Sequence, residues 1–322
     1  MSDSRKILFL FLDGVGLGED DPAINPFSSV PMPNLEGLLG GHRLVASHHP
    51  SSGNPVIAEG PRATLLAVDA CLGVEGLPQS ATGQAALLTG KNVPAWLGEH
   101  EGPKPTQPIA ELLRQGSLFT QLKQQGRTVD FLNAYPPRYF ESIERDYRLP
   151  GVIALSAKEA GLELKTWPDL QAGQAISADL TGQGWRTHLG YTNAPVLSTT
   201  QAGERLMALS GGVDLAVFEY WLTDVAGHHQ DAQQAADILL ALEAVLGSLA
   251  TGWDDEASLI LVTSDHGNLE DLRTRHHTRN DVPLLFIGSK KLREVFLSGI
   301  EPSCRSKPDL TDIAPAILRF IG

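Results

Sequence analysis

"ASLILVTSDHGN", residues 257–268, runs from an unbroken apolar stretch straight into acid and imidazole. A short run rich in Ile, Leu and Val fits a buried strand, and Asp265 and His266 stand at its end. A histidine pair, His276 and His277, follows in "TRHHTRNDVP" (274–283), ahead of the next apolar segment. Plain surface polarity would account for such a cluster, and so would a set of side chains facing one metal. The two readings part over whether other strands end in matching ligands.

Two others do. "ILFLFL" (7–12) leads into Asp13, and "DLAVFEYWL" (214–222) leads into Asp224. "TVDFLNA" (128–134) and "PLLFIG" (283–288) are weaker strand candidates. Between the second and third strong runs, Ile238, Leu239, Leu242, Val245, Leu246 and Leu249 repeat at helical spacing, with Gly252 as a stop. "SLFTQLKQQG" (117–126) also reads as a helix. Strand and helix therefore alternate, which predicts an α/β fold with a mostly parallel sheet. Residues 91–108 are rich in Pro and Gly and read as a surface excursion. Residues 136–198 lack long apolar runs and read as a small inserted cap, leaving 1–135 and 199–322 as the core.

Composition narrows the partners. The 322 residues, 42% hydrophobic, suffice for a sizeable core. With 25 basic against 38 acidic residues the net charge is −13, which tells against nucleic acid and against anionic membrane surfaces. An anionic substrate would then need local cations. Cys71 and Cys304 are the only cysteines, too few for a disulfide framework, and a cytoplasmic home is expected. The apolar run before Asp13 is too short for a signal peptide, and no stretch approaches the ~20 apolar residues of a membrane span.

In an open parallel sheet the carboxyl ends of the strands share one edge, where ligands bind. Asp13, Asp224 and Asp265 gathered there would repel one another unless cations neutralised them. Taken singly, each aspartate could equally cap a helix. The histidines favour the metal. Asp224 and His228 are four apart, on one side of a helical turn, while His266 adjoins Asp265 and His277 lies in the loop beyond. A mixed Asp/His set suits manganese or zinc. His229 and His276 are neighbours that spacing alone does not exclude. Farther back, "LPQSATGQAALLTG" (77–90) can open a helix whose N-terminus favours negative charge. Thr82 there is a nucleophile candidate, although Ser80 or Thr82 could simply cap the helix.

"LDGVG" (12–16), "TDVAGHHQD" (223–231), "SDHGN" (264–268) and "HTRNDVP" (277–283) together resemble, in the same order, the metal-site motifs of the alkaline phosphatase superfamily. The branch holding cofactor-independent phosphoglycerate mutase and phosphopentomutase is the most similar. The resemblance covers 1–135 and 199–322 and implies a three-layer core with two divalent ions, Mn2+ or Zn2+. It places Asp224, His228 and His277 on one ion and Asp13, Asp265 and His266 on the other, with Thr82 as ligand and nucleophile. The implied chemistry is transfer from a small phosphorylated metabolite through a phosphothreonine, as a phosphomutase or a phosphatase. The mutase has serine in its nucleophile motif where this chain reads "SATGQ", so Ser80 rivals Thr82. The mutases also carry a larger closing domain than 136–198 provides. Within that segment Arg138, Arg145, Arg148, Arg186 and His188 could grip a second anionic group, with Arg138 and Arg186 favoured by their apolar company. A phosphodiesterase of the same superfamily and a non-catalytic metal-binding protein are the alternatives.

Overall fold

The computed structural model describes residues 5–46, 56–146, 149–300 and 307–322. Its seven strands are β1 (Lys6–Leu12), β2 (Val56–Glu59), β3 (Ala63–Val68), β4 (Val129–Phe131), β5 (Leu215–Tyr220), β6 (Ser258–Thr263) and β7 (Val282–Ile287). They form one sheet in the order β2-β3-β7-β6-β1-β5-β4. β4, β5, β1 and β6 run parallel, and β7, β3 and β2 alternate beyond them. The three strongest apolar runs of the sequence are thus the three adjacent central strands. β2 and β3 have no counterpart among the sequence-based expectations.

Side chains alternate along each strand, so both faces of the sheet are apolar and both are covered. On one face Ile7, Phe9, Phe11, Val217 and Leu261 pack with Ala81, Ala85, Leu113, Phe119, Leu155 and Ile317. On the other, Leu8, Leu10, Phe218, Ile260 and Leu285 pack with Leu206, Leu239, Leu242 and Leu246. The result is helix, sheet, helix: the expected three layers. The Ala232–Gly252 helix is long and apolar enough to cross a membrane by length and composition, contrary to the sequence reading. Here its apolar stripe, including Leu239, Val245 and Leu249, is buried against the sheet.

Residues 136–198 do not stand apart as a single cap. The Val152–Glu159 helix, "VIALSAKE", is small and apolar around most of its circumference and is buried in the first face. A separate small cluster gathers Ala134, Leu170, Ala175, Trp185 and Ala194 with Trp167 and Tyr191. Trp167 stacks on Trp185 with ring centroids 5.3 Å apart. Bridges from Asn133 to Ile176 and from Ala134 to Lys165 anchor this cluster at the carboxyl end of β4. Arg148 lies outside the described residues.

Candidate metal site

Asp13, Asp224 and Asp265 leave the carboxyl ends of β1, β5 and β6, neighbouring strands, so their carboxylates meet at one sheet edge. Asp13 prolongs the ladder, its N–H donating to the Tyr220 carbonyl at 3.2 Å. The turn after it needs Gly14, whose φ is +68° and whose missing Cβ would sit 2.5 Å from Asp224 Oδ1. Asp224 and His228 share the Leu222–His229 helix, the four-residue spacing bringing His228 Nε2 to 3.1 Å from Asp224 Oδ2. His277 Nε2 completes this group, 3.4 Å from His228 Nε2 and 3.7 Å from Asp224 Oδ1.

The second group is buried. His266 Nε2 lies 3.4 Å from Asp13 Oδ1 and 3.6 Å from Asp265 Oδ2, with Asp265 and His266 side chains fully enclosed. Ligand atoms of Asp13, Asp224 and His266 lie within 4.8 Å of one another, as do those of Asp224, His228 and His277, so Asp224 belongs to both groups. Every sequence-expected metal ligand except Thr82 is therefore in one pocket. The two decoys separate: His229 Nδ1 pairs with Gln234 Oε1 at 2.9 Å, and His276 is exposed.

The donor set fits divalent cations. Asp13 Oδ1 and both oxygens of Asp265 are buried with no hydrogen-bond partner among the described residues. His228 and His277 each place Nδ1 2.7 Å from a backbone carbonyl, that of Arg275 and of Pro78 respectively. A carbonyl can only accept, so Nδ1 carries the hydrogen and the Nε2 lone pair faces the pocket. Burial, then the carboxylates of Asp265 and Asp224, raises Asp13 well above the usual carboxylate range. Asp265 is pushed up to about 8 by burial and by Asp224. Burial, then His277, holds His266 well below its ordinary range. Bound cations would reverse the carboxylate shifts by supplying the missing countercharge.

The two candidate hydroxyls have different surroundings. Thr82 is fully buried, and its Oγ1 lies 3.2 Å from the Gln79 carbonyl and 3.3 Å from that of Glu101. It also accepts from the Glu101 N–H at 3.3 Å, so it clips the 91–108 excursion to the helix start. Ser80 Oγ instead lies 3.0 Å from His266 Nε2, inside the ligand group. Ser80 begins the Ser80–Thr89 helix, and Gly83 lets that helix approach closely, because a Cβ there would meet the Asp265 carbonyl oxygen at 2.9 Å.

Neither favoured arginine is drawn into the ligand groups. Arg186 is exposed and donates from Nε to the Ala194 carbonyl at 2.7 Å, within the tryptophan cluster. Arg138 is exposed on the Pro137–Asp146 helix. Sequence reasoning missed the groups that hold the loops. Asn268 Nδ2 donates to Asp224 Oδ1 at 2.7 Å, and Gln84 Nε2 to Asp13 Oδ2 at 3.4 Å. Buried Glu270 accepts from the N–H groups of Gly16 and Asn268, from the Thr278 hydroxyl and from Asn280 Nδ2. One carboxylate thereby ties all three ligand-bearing loops together. The run "GVGLG" close behind Asp13 was its available signal, since Gly16 and Gly18 both face Glu270 too closely for a Cβ.

A family model described as the Metalloenzyme superfamily matches residues 192–322, the stretch that carries Asp224, His228, Asp265, His266 and His277. The 2,3-bisphosphoglycerate-independent phosphoglycerate mutase of Gloeothece citriformis is 31% identical over 139 residues, 41% of this chain and 26% of that protein. The chain thus spans about a quarter of that relative's length. The fold is shared more widely. The PH0037 protein of Pyrococcus horikoshii matches at a TM-score of 0.57 and 14% identity, covering 100% of this chain and 98% of that one. Alkaline phosphatase from the Antarctic bacterium TAB5 matches at 0.52 and 12%, covering 99% and 98%. The chain is thus similar in sequence, over its C-terminal part, to the Metalloenzyme superfamily, and in fold to an alkaline phosphatase.

Proposed function

We propose that this protein is a phosphomonoesterase that works through a phosphoserine at Ser80, with two divalent cations, manganese or zinc, resident at the strand ends. The observation that carries this reading is the 3.0 Å approach of Ser80 Oγ to His266 Nε2, at a helix N-terminus beside two ligand groups sharing Asp224. Asp224, His228 and His277 would hold one cation, and Asp13, Asp265 and His266 the other. When bound, the pair supplies charge neutralisation for the phosphate and lowers the pKa of the nearby hydroxyl.

The chain's own part is positional. The fully buried Ser80–Thr89 helix fixes Ser80 at its first turn and turns that end toward the carboxylates. Free N–H groups and the helix dipole favour the phosphoryl oxygens there. Ser80 Oγ attacks phosphorus in line, the ester bond breaks, and the alcohol leaves with a proton. Water then releases phosphate and restores the serine. Hydrolysis is favoured over return of the phosphoryl group because His228 keeps 42% of its side chain exposed, and a mutase must exclude water from its phosphoenzyme.

Manganese- or zinc-loaded protein incubated with p-nitrophenyl phosphate, sugar phosphates and phosphoglycerates should yield free phosphate. Isomerised ester without free phosphate would make it a mutase. Faster cleavage of bis-p-nitrophenyl phosphate than of the monoester would make it a diesterase. Absence of turnover on every ester would leave a metal-binding protein.

A further inference from the structure

Beyond the two ligand groups, one more carboxylate reaches the same edge. Glu219 is the penultimate residue of β5 and pairs in register with Phe11 of β1. Phe11 points to the sheet face covered by the Ser80–Thr89 helix, so Glu219 does too. Asp13 follows Phe11 by two residues and continues the ladder, which puts its side chain on that face as well. Tyr135 and Tyr139, their rings stacked 4.3 Å apart, stand beside Glu219, and Tyr135 Oη donates to Glu219 Oε2 at 3.5 Å. Glu219 remains half-buried and not sealed, and Tyr135 is the one hydrogen-bond partner of its carboxylate among the described residues, Asn133 holding its backbone.

We propose that Glu219 and Tyr135 form a subsite accepting a hydrogen bond from a hydroxyl or ammonium group on the organic part of the phosphoester. The substrates are then phosphomonoesters of polyhydroxy or amino alcohols, not of molecules bearing a second anion. This rests on the phosphoryl-transfer reading above. The charge balance supports it. Asp13, Asp224 and Asp265 are matched by cations in that reading, whereas Glu219 belongs to neither group. A second carboxylate or phosphate on the substrate would be repelled by this half-buried carboxylate. Lys104, exposed on the 91–108 excursion, is the cation that acts on Glu219 and offsets part of this effect. Burial pushes Glu219 up to about 7 against the pull of Lys104 and Tyr135, so it gains from any donor that stabilises its charged form.

Titration calorimetry of the manganese-loaded protein with four phosphonates tests the subsite. They are methylphosphonate, 2-hydroxyethylphosphonate, 2-aminoethylphosphonate and phosphonoacetate. The hydroxyl and amine compounds should bind at least about tenfold tighter than the carboxylate, the worth of one favourable polar contact. The ranking of those two separates an alcohol from an amine as the group read. In Glu219→Gln the advantage over phosphonoacetate should shrink to about threefold or less. Phosphonoacetate binding as tightly as the others would overturn the subsite, as would an undiminished ratio in the variant. Methylphosphonate separates the two levels. If it binds while the series is flat, only the subsite falls, and if it fails to bind, the phosphoryl reading falls and the subsite with it.

Discussion

The two ligand groups share Asp224 yet are built differently. Asp265 and His266 have no exposed side-chain surface, whereas His228 is 42% exposed. In the open group the protein satisfies its own polar atoms: Asn268 holds Asp224, and backbone carbonyls hold the Nδ1 atoms of His228 and His277. In the buried group both oxygens of Asp265 and one of Asp13 have no hydrogen-bond partner within 3.5 Å among the described residues. Buried carboxylates without countercharge are costly, so this group is suited to a bound cation. The open group tolerates exchange with solvent. A cation in the buried group should therefore be bound tightly and hold the strand ends together, while the open side admits water and substrate.

The largest expected effect tests which hydroxyl belongs to this arrangement. Ser80 touches the buried group through His266, whereas Thr82 faces the Glu101 backbone and touches neither group. Ser80→Ala should lower kcat on a phosphomonoester by at least about 10^3-fold and abolish an acid-stable phosphoenzyme. Thr82→Ala should leave the phosphoenzyme intact and cost about 1–3 kcal/mol of stability, from buried backbone groups losing their partner. Acid-quench trapping and thermal unfolding of both variants check this. A phosphoenzyme in Ser80→Ala but not in Thr82→Ala would restore the threonine.

The next effect breaks the comparison directly. Asp265→Asn removes charge from the closed group and should weaken metal binding by about 100-fold or more, with lost metal after dialysis. His228→Ala removes a ligand that water can replace, and should weaken binding by about tenfold while one tightly held ion remains. Metal content by mass spectrometry and competition with a chelator measure both. Equal losses in the two variants would erase the distinction between a closed and an open group.

Much of this was legible in the chain. Three apolar runs each ending in aspartate needed only to be adjacent, and their burial on both faces makes them the central strands. The Asp224–His228 pair was legible because four residues make about one helical turn. What was not legible depended on direction. Ser80 and Thr82 lie two apart at a helix start, so their side chains point to nearly opposite sides, and sequence does not say which side meets the strands. Glu270 reads as one acid among 38 until the fold brings three loops around it. "VIALSAKE" lacked the amphipathic stripe that marks a surface helix because it is buried on most sides. Arg186 had aromatic company, but its Trp185 belongs to a separate cluster anchored beyond β4, and Arg138 is exposed on its own helix.

The smallest effect sharpens the comparison through pH. In the metal-free fold Asp265 is pushed up to about 8, far above an unfolded aspartate. Between those values the metal-free native state holds a proton that the unfolded chain releases, so protonation stabilises the fold. That contribution is complete below the unfolded value and is lost as pH rises through about 8. Asp13 shifts in the same direction and adds to the trend. Bound cations replace the proton and remove this dependence until acid displaces them. The rise in Tm on adding metal should therefore be larger at pH 8 than at pH 6, by a few degrees, on the order of one to two kcal/mol in a chain of this size. In Asp265→Asn the group no longer titrates, so its metal-free Tm should fall less between the two pH values. His228→Ala keeps both buried carboxylates and should keep the full dependence. Calorimetric scans of the three proteins at both pH values, with and without metal, decide it. An increment independent of pH would mean that the enclosed carboxylates are already neutralised within the polypeptide, and the contrast between the two groups would be one of exposure alone.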